Sequence, residues 1–339
     1  MLSEFSLIER FFARRARSGS PPGEAAKVSR AALGIGDDCA LIVAPPGQQL
    51  AISTDMLVEG RHFFPDVDPH ALGHKALAVN LSDLAAMGAA PHAFTLALAL
   101  PAADEQWLAA FSDGLFALAE RFDCELIGGD TTSGPLNICI TVFGDVPAGA
   151  ALRRDAAEAG DDIWVSGTLG DARAGLGLLR GEWDIDDEAA VVRLKRALER
   201  PEPRVALGLA LRGVARAALD ISDGLAGDLA HILKRSHARA VVDADAVPVS
   251  DSLAALPERA RRTCALAGGD DYELCFTAPA EARATIAAIG ERERVRLTRI
   301  GTIERIADAS ATAPSIAWHD RSGAPLSLTL QGFDHFHAD

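Results

Sequence analysis

Aspartates that stand beside glycine, serine or threonine in short loops recur along the whole chain, and this feature constrains the fold most. Each loop adjoins a short apolar run, so the carboxylates fall at the ends of predicted strands and helices. The loops are Gly36-Asp37-Asp38, Ser53-Thr54-Asp55, Gly128-Gly129-Asp130-Thr131, Asp220-Ile221-Ser222-Asp223-Gly224 and Gly268-Gly269-Asp270-Asp271-Tyr272-Glu273. One such pair is ordinary turn chemistry, whereas the recurrence indicates a shared acidic site.

The stretch from Val79 to Pro91 adds another aspartate to this set. Asn80, Ser82 and Asp83 predict a helix start, and Gly88 with the following proline predicts its end. Asp83 would then lie at the mouth of a small helix, either as a cap or as a ligand of the acidic site.

Short apolar runs alternate with amphipathic stretches, which predicts an α/β (α+β) fold. Predicted strands are Ala40 to Val43, Gln49 to Thr54, Phe94 to Leu100, Glu125 to Ile127, Ile138 to Gly144, Asp162 to Ser166, Ala240 to Asp243, Glu273 to Thr277 and Arg296 to Ile303. Predicted helices are Glu4 to Arg15, His70 to Met87, Glu105 to Phe122, Glu188 to Glu199, Arg204 to Val214 and Gly224 to Ser236. A chain of 339 residues, 49% hydrophobic, favours two domains, which we place at residues 1–148 and 149–339.

The charge balance disfavours several classes of partner. The formal net charge is -15, which disfavours nucleic acid and anionic membranes. The apolar stretch from Ala93 to Leu100 ends at a proline and is too short to span a bilayer. Five scattered cysteines without C-x-x-C spacing are typical of buried free thiols in a reducing compartment, so a cytoplasmic protein is expected.

Carboxylates on glycine-flanked turns suit magnesium, which prefers oxygen ligands and binds together with substrate phosphates. Glycine beside the carboxylate lets phosphate oxygens approach closely. The familiar nucleotide motifs are absent: there is no G-x-x-x-x-G-K-[ST], and Gly34-Ile35-Gly36 does not continue into G-x-G-x-x-G. If ATP binds, it therefore binds through another fold.

The acidic loops, in their order along the chain, resemble those of the thiamine-monophosphate kinase family. The match rests on Gly36-Asp37-Asp38-Cys39-Ala40, Ser53-Thr54-Asp55, His62-Phe63, Asn80 to Gly88, Gly128 to Thr131, Asp220 to Leu225 and Gly332-Phe333-Asp334-His335-Phe336. Each motif is weak singly, but together they span nearly the whole chain and are specific.

This resemblance implies a homodimer with the two-domain fold of aminoimidazole ribonucleotide synthetase, in which the N-terminal domain supplies the dimer interface and the C-terminal domain completes the site. It also implies that ATP and thiamine monophosphate react to give ADP and thiamine diphosphate. Because donor and acceptor are both polyanions, several Mg²⁺ ions would be needed to offset their repulsion. No covalent nucleophile of the protein is expected, and direct in-line transfer is the implied mechanism.

Residue roles follow from the resemblance only at matching positions. Metal positions match Asp37, Ser53, Thr54, Asp55, Asp83, Asp130, Asp220 and Asp223. Nucleotide positions match Gly129, Asp130, Arg154 and Ser222, and substrate positions match His62, Asp270 and Phe333. The chain departs from the family at Asp270, where glutamate is usual, and the segment from Arg17 to Arg30 has no assigned role.

Other functions remain open on the same fold. A selenophosphate synthetase would need a reactive cysteine in an N-terminal glycine-rich segment, and Cys39 stands in a different motif. The related hydrogenase maturation protein would end in a cysteine tail, whereas this sequence ends in His337-Ala338-Asp339. Aminoimidazole ribonucleotide synthetase matches these loops poorly. A non-catalytic Mg-nucleotide sensor would be expected to have lost several of the aspartates.

Overall fold

The computed structural model describes residues 4–13, 31–36, 38–306, 315–328 and 330. The chain divides into two compact units, one of Met1–Leu84 with Ala89–Gly149 and one of Ala85–Gly88 with Ala150–Asp339. The predicted loop over residues 17–30 lies outside the described residues. Of the predicted N-terminal helix, a helical turn α1 (Glu4–Leu7) and a π-helical turn (Ile8–Ala13) are described.

The first unit is built on a sheet of four strands with the order β3-β6-β4-β5. The small strands β1 (Ala31–Leu33) and β2 (Leu41–Ile42) form a separate antiparallel pair. The four strands are β3 (Gln48–Val58), β4 (Ala90–Leu100), β5 (Glu125–Ser133) and β6 (Asn137–Pro147). Neighbours pair antiparallel except β4 and β5, which run parallel.

Strand β3 has two chemically different faces. Ser53, Asp55 and Leu57 point to the covered side, while Ile52 and Met56 are exposed on the other side. This alternation follows from the two-residue period of a strand. Because β3 and β5 are the outermost strands, residues on them lie at opposite edges of the sheet.

Helices α2 (Pro69–Ala86) and α3 (Glu105–Arg121) also belong to this part of the chain. Asp104 caps α3, since its carboxylate accepts the backbone N–H groups of Gln106 and Trp107. The two helices approach closely at glycines. A Cβ on Gly73 would lie 2.1 Å from the carbonyl oxygen of Phe111, and one on Gly114 would lie 1.9 Å from that of His70.

Of the two predictions for this helix, the span from His70 to Met87 is confirmed, and a start near Asn80 and Asp83 is wrong. Helix α2 begins at Pro69, so Asp83 lies near its C-terminal end and not at its mouth. The residues that suggested a cap are instead internal polar groups of a helix that is buried nearly all round. The predicted end is confirmed, because Gly88 follows the helix with φ of +64°.

The second unit contains a mixed sheet of six strands with the order β12-β9-β11-β7-β10-β8. Its strands are β7 (Asp162–Ser166), β8 (Ala217–Asp220), β9 (Ala238–Asp243), β10 (Leu274–Ala278), β11 (Leu297–Arg305) and β12 (Ile316–His319). Only β12 and β9 pair parallel; the remaining neighbours pair antiparallel. Its helices are α4 (Asp171–Leu179), α5 (Glu188–Glu199), α6 (Val205–Leu211), α7 (Leu225–Arg235), α8 (Glu258–Ala267) and α9 (Arg283–Glu293).

The core of this unit lies between its sheet and helices such as α7. Val165 and Leu219 of the sheet, together with Leu229 and Ile232 of α7, are fully or nearly fully buried in one cluster. Burial of large aliphatic side chains contributes roughly 1.5–3 kcal/mol each, so this cluster anchors the loops at the strand ends.

The five cysteines form no disulfide. Cys124, Cys264 and Cys275 are buried and Cys139 is partly buried, as the sequence predicts, but Cys39 is exposed, so that part of the prediction is wrong. Burial raises the pKa of the Cys264 thiol to about 11, so it stays protonated and unreactive at neutral pH. In the described part of the chain, no helix is both long and apolar enough to cross a membrane.

Candidate active site

In the first unit, α2 and β3 are joined by side chains from two of the acidic motifs. The Ser53 hydroxyl donates a hydrogen bond to the Asp83 carboxylate. The backbone N–H of Asp55 donates to the side-chain oxygen of Asn80 at 3.1 Å. Residues three apart on a helix share one face, so Asn80 and Asp83 both reach the same strand. The structure therefore brings Ser53, Asp55 and Asp83 together at one place.

Three other predicted site residues of this unit, Thr54, Gly129 and Asp130, lie elsewhere on the sheet. Thr54 points to the opposite face of β3, where its hydroxyl is 2.9 Å from that of Thr141 on β6. Gly129 and Asp130 lie on β5 and pair with Leu96 and Ala97 of β4. They therefore stand at the other edge of the sheet from Asp55.

The predicted substrate residue His62 lies in the turn that follows β3. Its Nδ1 accepts a hydrogen bond from the backbone N–H of Val58 at 3.0 Å. An Nδ1 that accepts must lack a proton, so the proton of the neutral ring is on Nε2.

In the second unit, three loops are joined by backbone hydrogen bonds. The backbone N–H of Asp270 donates to the carbonyl of Ser222, and that of Tyr272 donates to the carbonyl of Ile221, each at 2.8 Å. Gly170, which precedes α4, donates its N–H to both carboxylate oxygens of Asp271 at 2.9 Å. The loops after β7 and β8 are thus tied to the loop that precedes β10.

Two residues of the loop before β10 have backbone conformations that L-residues rarely adopt. Asp270 has φ of +67° and Tyr272 has φ of +51°, and the Tyr272 hydroxyl donates to the Asp270 carboxylate at 3.2 Å. Such conformations cost of order 1–3 kcal/mol each and cluster at functional sites. The observation favours a functional role for this loop, which contains Asp270, a predicted substrate-binding residue.

A buried carboxylate that the sequence left unassigned holds this loop in place. Glu273 is about 8% exposed and accepts hydrogen bonds from Ser166 and from Nε and Nη2 of Arg204, the first guanidinium contact at 2.7 Å. Burial acts to lower the pKa of Arg204, but its bonds to Glu273 raise it. A Cβ on Gly167 would lie 1.9 Å from Glu273 Oε1, so a glycine is required beside this carboxylate.

We expect Arg204→Gln to lower the free energy of unfolding by about 3–5 kcal/mol, because it leaves a buried carboxylate without its bidentate partner. Arg204→Lys should lower the free energy of unfolding by less, because lysine keeps the positive charge, although it cannot form the two parallel hydrogen bonds that arginine makes. Chemical denaturation of each variant measures the difference. Arg292→Gln is the matched control: Arg292 pairs with Glu293 on the exposed end of α9, and its loss should cost less than about 1 kcal/mol. Equal losses at both sites would contradict the prediction.

Two further carboxylates near the loops carry strongly raised pKa values. Burial raises the pKa of Asp271 well above its ordinary value, against the opposing effect of the Gly170 N–H. Burial also raises the pKa of Asp228 to about 7, although the backbone N–H of Asp223 and the charge of Arg154 lower it. Perturbed carboxylates of this kind are typical of functional sites.

Sequence reasoning missed Asp228, although a signal was present. It lies in the first turn of α7, directly after an acidic loop, and its carboxylate accepts the N–H groups of Ser222 and Asp223 at 3.1 and 3.0 Å. An aspartate in the first helical turn is well placed to hold a preceding loop. Asp228 therefore fixes the backbone of two predicted site residues.

The donor set at these loops fits Mg²⁺, because the predicted ligands are carboxylates and hydroxyls without soft atoms. Within the described ranges, however, no group of three or more His, Cys, Asp and Glu side chains is arranged to hold a metal ion. Predicted residues Asp37 and Phe333 lie outside the described residues. The metal and ligand assignments therefore stay predictions.

Comparison with known proteins places the chain in a family. The model of the AIR synthase related protein N-terminal domain matches residues 36–146, and that of the corresponding C-terminal domain matches residues 158–311. The thiamine-monophosphate kinase of Salmonella typhimurium is 49% identical over 335 residues, which cover 98% of each chain. The chain belongs to the thiamine-monophosphate kinase family. It is accordingly an enzyme of the kinase class, as the sequence motifs predict.

Solved structures of this family share the fold. The thiamine-monophosphate kinase of Stenotrophomonas maltophilia is 47% identical and superposes with a TM-score of 0.83, covering 96% of this chain and 98% of its own. AaThiL complexed with AMPPCP and TMP is 30% identical, with a TM-score of 0.73 over 87% of this chain and 89% of its own. The predicted mixed α/β fold of the aminoimidazole ribonucleotide synthetase type is confirmed.

Proposed function

We propose that the chain transfers the terminal phosphoryl group of ATP to thiamine monophosphate, giving ADP and thiamine diphosphate. The observation that carries this proposal is the 49% identity to a thiamine-monophosphate kinase along 98% of both chains. The complex of AaThiL with AMPPCP and TMP supports the same pair of substrates. As the last step of thiamine diphosphate formation, this reaction joins two phosphate groups.

The proposed step is a direct in-line displacement. An oxygen of thiamine monophosphate attacks the terminal phosphorus of ATP, a new P–O bond forms, and the bond to the ADP oxygen breaks on the opposite side. The protein supplies positioning and charge neutralisation and forms no covalent intermediate. Arg154 and Ser222 would hold the nucleotide, while His62, Asp270 and Phe333 would hold the acceptor.

Several Mg²⁺ ions would be held by the carboxylates and hydroxyls of the acidic loops. When bound, they neutralise phosphate oxygens that would otherwise repel each other. The ligands we assign are Asp37, Ser53, Asp55, Asp83, Asp130, Asp220 and Asp223. Thr54 belongs to the same motif, but its hydroxyl lies on the opposite face of β3 from Ser53 and Asp55, so we do not assign it to the same ion. The hydrogen bond between Ser53 and Asp83 supports this assignment, because it gathers ligand oxygens from a strand and a helix at one place.

The test is ADP release by purified protein with ATP and Mg²⁺, with thiamine monophosphate, thiamine or aminoimidazole precursor nucleotides as acceptor. We expect turnover only with thiamine monophosphate, and thiamine diphosphate by mass. Turnover with a precursor nucleotide would move the chain to a synthetase function. Tight binding of ATP without turnover, in folded protein, would instead support a non-catalytic nucleotide-binding role.

We also propose that the chain is a homodimer, and the exposed face of β3 supports this. Ile52 is 59% exposed and Met56 is 52% exposed, on the side of the sheet away from Ser53 and Asp55. Neighbouring large apolar side chains on one strand face are typical of a surface that another chain covers. A second copy of the chain is the occupant that the family resemblance implies.

We expect Ile52→Glu to convert dimer to monomer, because a carboxylate cannot be buried in an apolar interface without a partner. The dissociation constant should rise by about 100-fold or more, as measured by light scattering over a dilution series. Val192→Glu is the control: Val192 on α5 is 65% exposed, so its replacement should leave the oligomeric state unchanged. A wild-type chain that is monomeric at every concentration would overturn the proposal.

We place the reaction in the cytoplasm. The absence of any disulfide among the five cysteines supports a reducing compartment.

A further inference from the structure

The second unit contains a cavity of about 370 Å³ whose floor is apolar and whose rim carries three arginines. Val247, Ala265 and Leu266 form part of the floor, and all three belong to the buried core. Arg261 and Arg262 of α8 and Arg321 of the turn after β12 lie at the rim. A cavity of this size is at the lower end of small-molecule sites.

The charges at the rim are only partly balanced. Asp245 accepts from Arg262 Nη2 at 2.9 Å and from the backbone N–H of Arg321 at 3.1 Å. Glu258, whose side chain is 71% exposed, is 3.4 Å from Arg262. The Arg261 guanidinium forms no hydrogen bond or ion pair with any of the described residues; only its backbone N–H is bonded, to the carbonyl of Pro257 at 2.9 Å. The rim thus carries three positive and two negative charges in a chain whose net charge is -15.

We propose that this cavity binds a small aromatic phosphate monoester. The phosphate lies between Arg261 and Arg262, whose guanidinium groups match its oxygens, and the ring lies on the floor formed by Val247 and Leu266. A phosphate monoester carries a charge near -2 at neutral pH, which exceeds the one surplus positive charge of the rim. The ligand therefore displaces Glu258 from Arg262, and this exposed ion pair is weak enough to be replaced.

The cavity is distinct from the loops of the candidate active site. Helix α8 presents Arg261, Ala265 and Leu266 to the cavity, while its Cys264–Ala265 backbone faces Gly170, where a Cβ would lie 2.6 Å from the Cys264 carbonyl carbon. None of the residues assigned to ATP, metal or thiamine monophosphate lines the cavity. Binding here can therefore be measured independently of kinase activity.

The test is calorimetric titration of the full chain with phenyl phosphate, with inorganic phosphate and benzyl alcohol as probes of each half of the ligand. We expect phenyl phosphate to bind more tightly than either. Arg261→Gln should weaken its binding by about ten-fold or more, because it removes a charged hydrogen-bond donor. Glu258→Gln should strengthen it by about two- to five-fold, because the competing carboxylate is gone.

Arg292→Gln on α9 is the control for a loss of positive charge outside the cavity, and it should leave the affinity unchanged. Thermal unfolding of each variant confirms that it is folded. Equal affinity of wild type and Arg261→Gln overturns the proposal, as does phenyl phosphate that binds no more tightly than inorganic phosphate. No improvement in Glu258→Gln also overturns it, because displacement of that carboxylate is part of the binding mode.

Discussion

Asp55→Asn is expected to reduce kcat/KM by about 10³-fold while leaving the fold intact. The substitution removes one negative charge from a group that we assign to Mg²⁺, and amide oxygens are poorer ligands for this ion than carboxylates. The lost transition-state stabilisation corresponds to about 4 kcal/mol. The backbone N–H of Asp55 still bonds Asn80, so β3 keeps its contact with α2. Steady-state kinetics over a range of Mg²⁺ concentrations should also show a higher Mg²⁺ requirement.

The control for this variant is Asp113→Asn, which removes a carboxylate from the exposed side of α3. It should leave both kcat/KM and the Mg²⁺ requirement unchanged. If Asp55→Asn is fully active at the Mg²⁺ concentration that gives full wild-type activity, Asp55 is not a metal ligand.

Gly129→Ala is expected to lower the free energy of unfolding by about 2–6 kcal/mol, through strain and overpacking together. Gly129 has φ of +146°, a conformation that L-residues rarely adopt. Its Cβ would also lie 1.8 Å from the carbonyl oxygen of Leu96 on the paired strand β4, so the strands would have to separate. Chemical denaturation followed by circular dichroism measures the loss.

Gly149→Ala separates the two causes. Gly149 also has positive φ, at +79°, but no atom lies within 4 Å of the position that a Cβ would occupy. This variant should lose only the strain energy, about 1–2 kcal/mol. If Gly129→Ala and Gly149→Ala lose equal stability, the close approach of β4 and β5 is not the reason that position 129 requires glycine.

The fold was predictable where local pattern decides the structure. Alternating and apolar runs identified most strands, and Gly88 identified the end of α2. Strands β1, β8 and β12, of three or four residues each, were missed, as were helices α8 and α9. The span of α2 was predicted correctly from His70 to Met87, whereas Asn80 and Asp83 indicated a false start because they favour helix caps locally. Their actual partners lie on β3, 25 and 30 residues earlier in sequence.

The acidic motifs of the candidate site are visible in the sequence, but the groups that support them are not. The prediction that all of these motifs form loops is wrong, because Asp55 lies within β3 and Asp130 within β5. Arg204 and Glu273 are 69 residues apart, and no local pattern relates them. Asp271 is part of a motif that the sequence shows, but its burial and its hydrogen bond from the N–H of Gly170 arise only because another loop packs against it. Supporting contacts of this kind depend on tertiary structure, so sequence reasoning proposes candidate ligands more readily than it finds the residues that position them.

The paired glycines between α2 and α3 restrict how this enzyme can move. Sliding one helix along the other would move Gly73 and Gly114 away from Phe111 and His70 and bring residues with side chains against the facing backbone, which leaves no room for a Cβ at these two positions. Because α2 carries Asn80 and Asp83, it holds these side chains in register with β3. Any opening or closing of the enzyme would therefore have to arise in loops or hinges outside this helix pair, which holds Asn80 and Asp83 rigidly against β3.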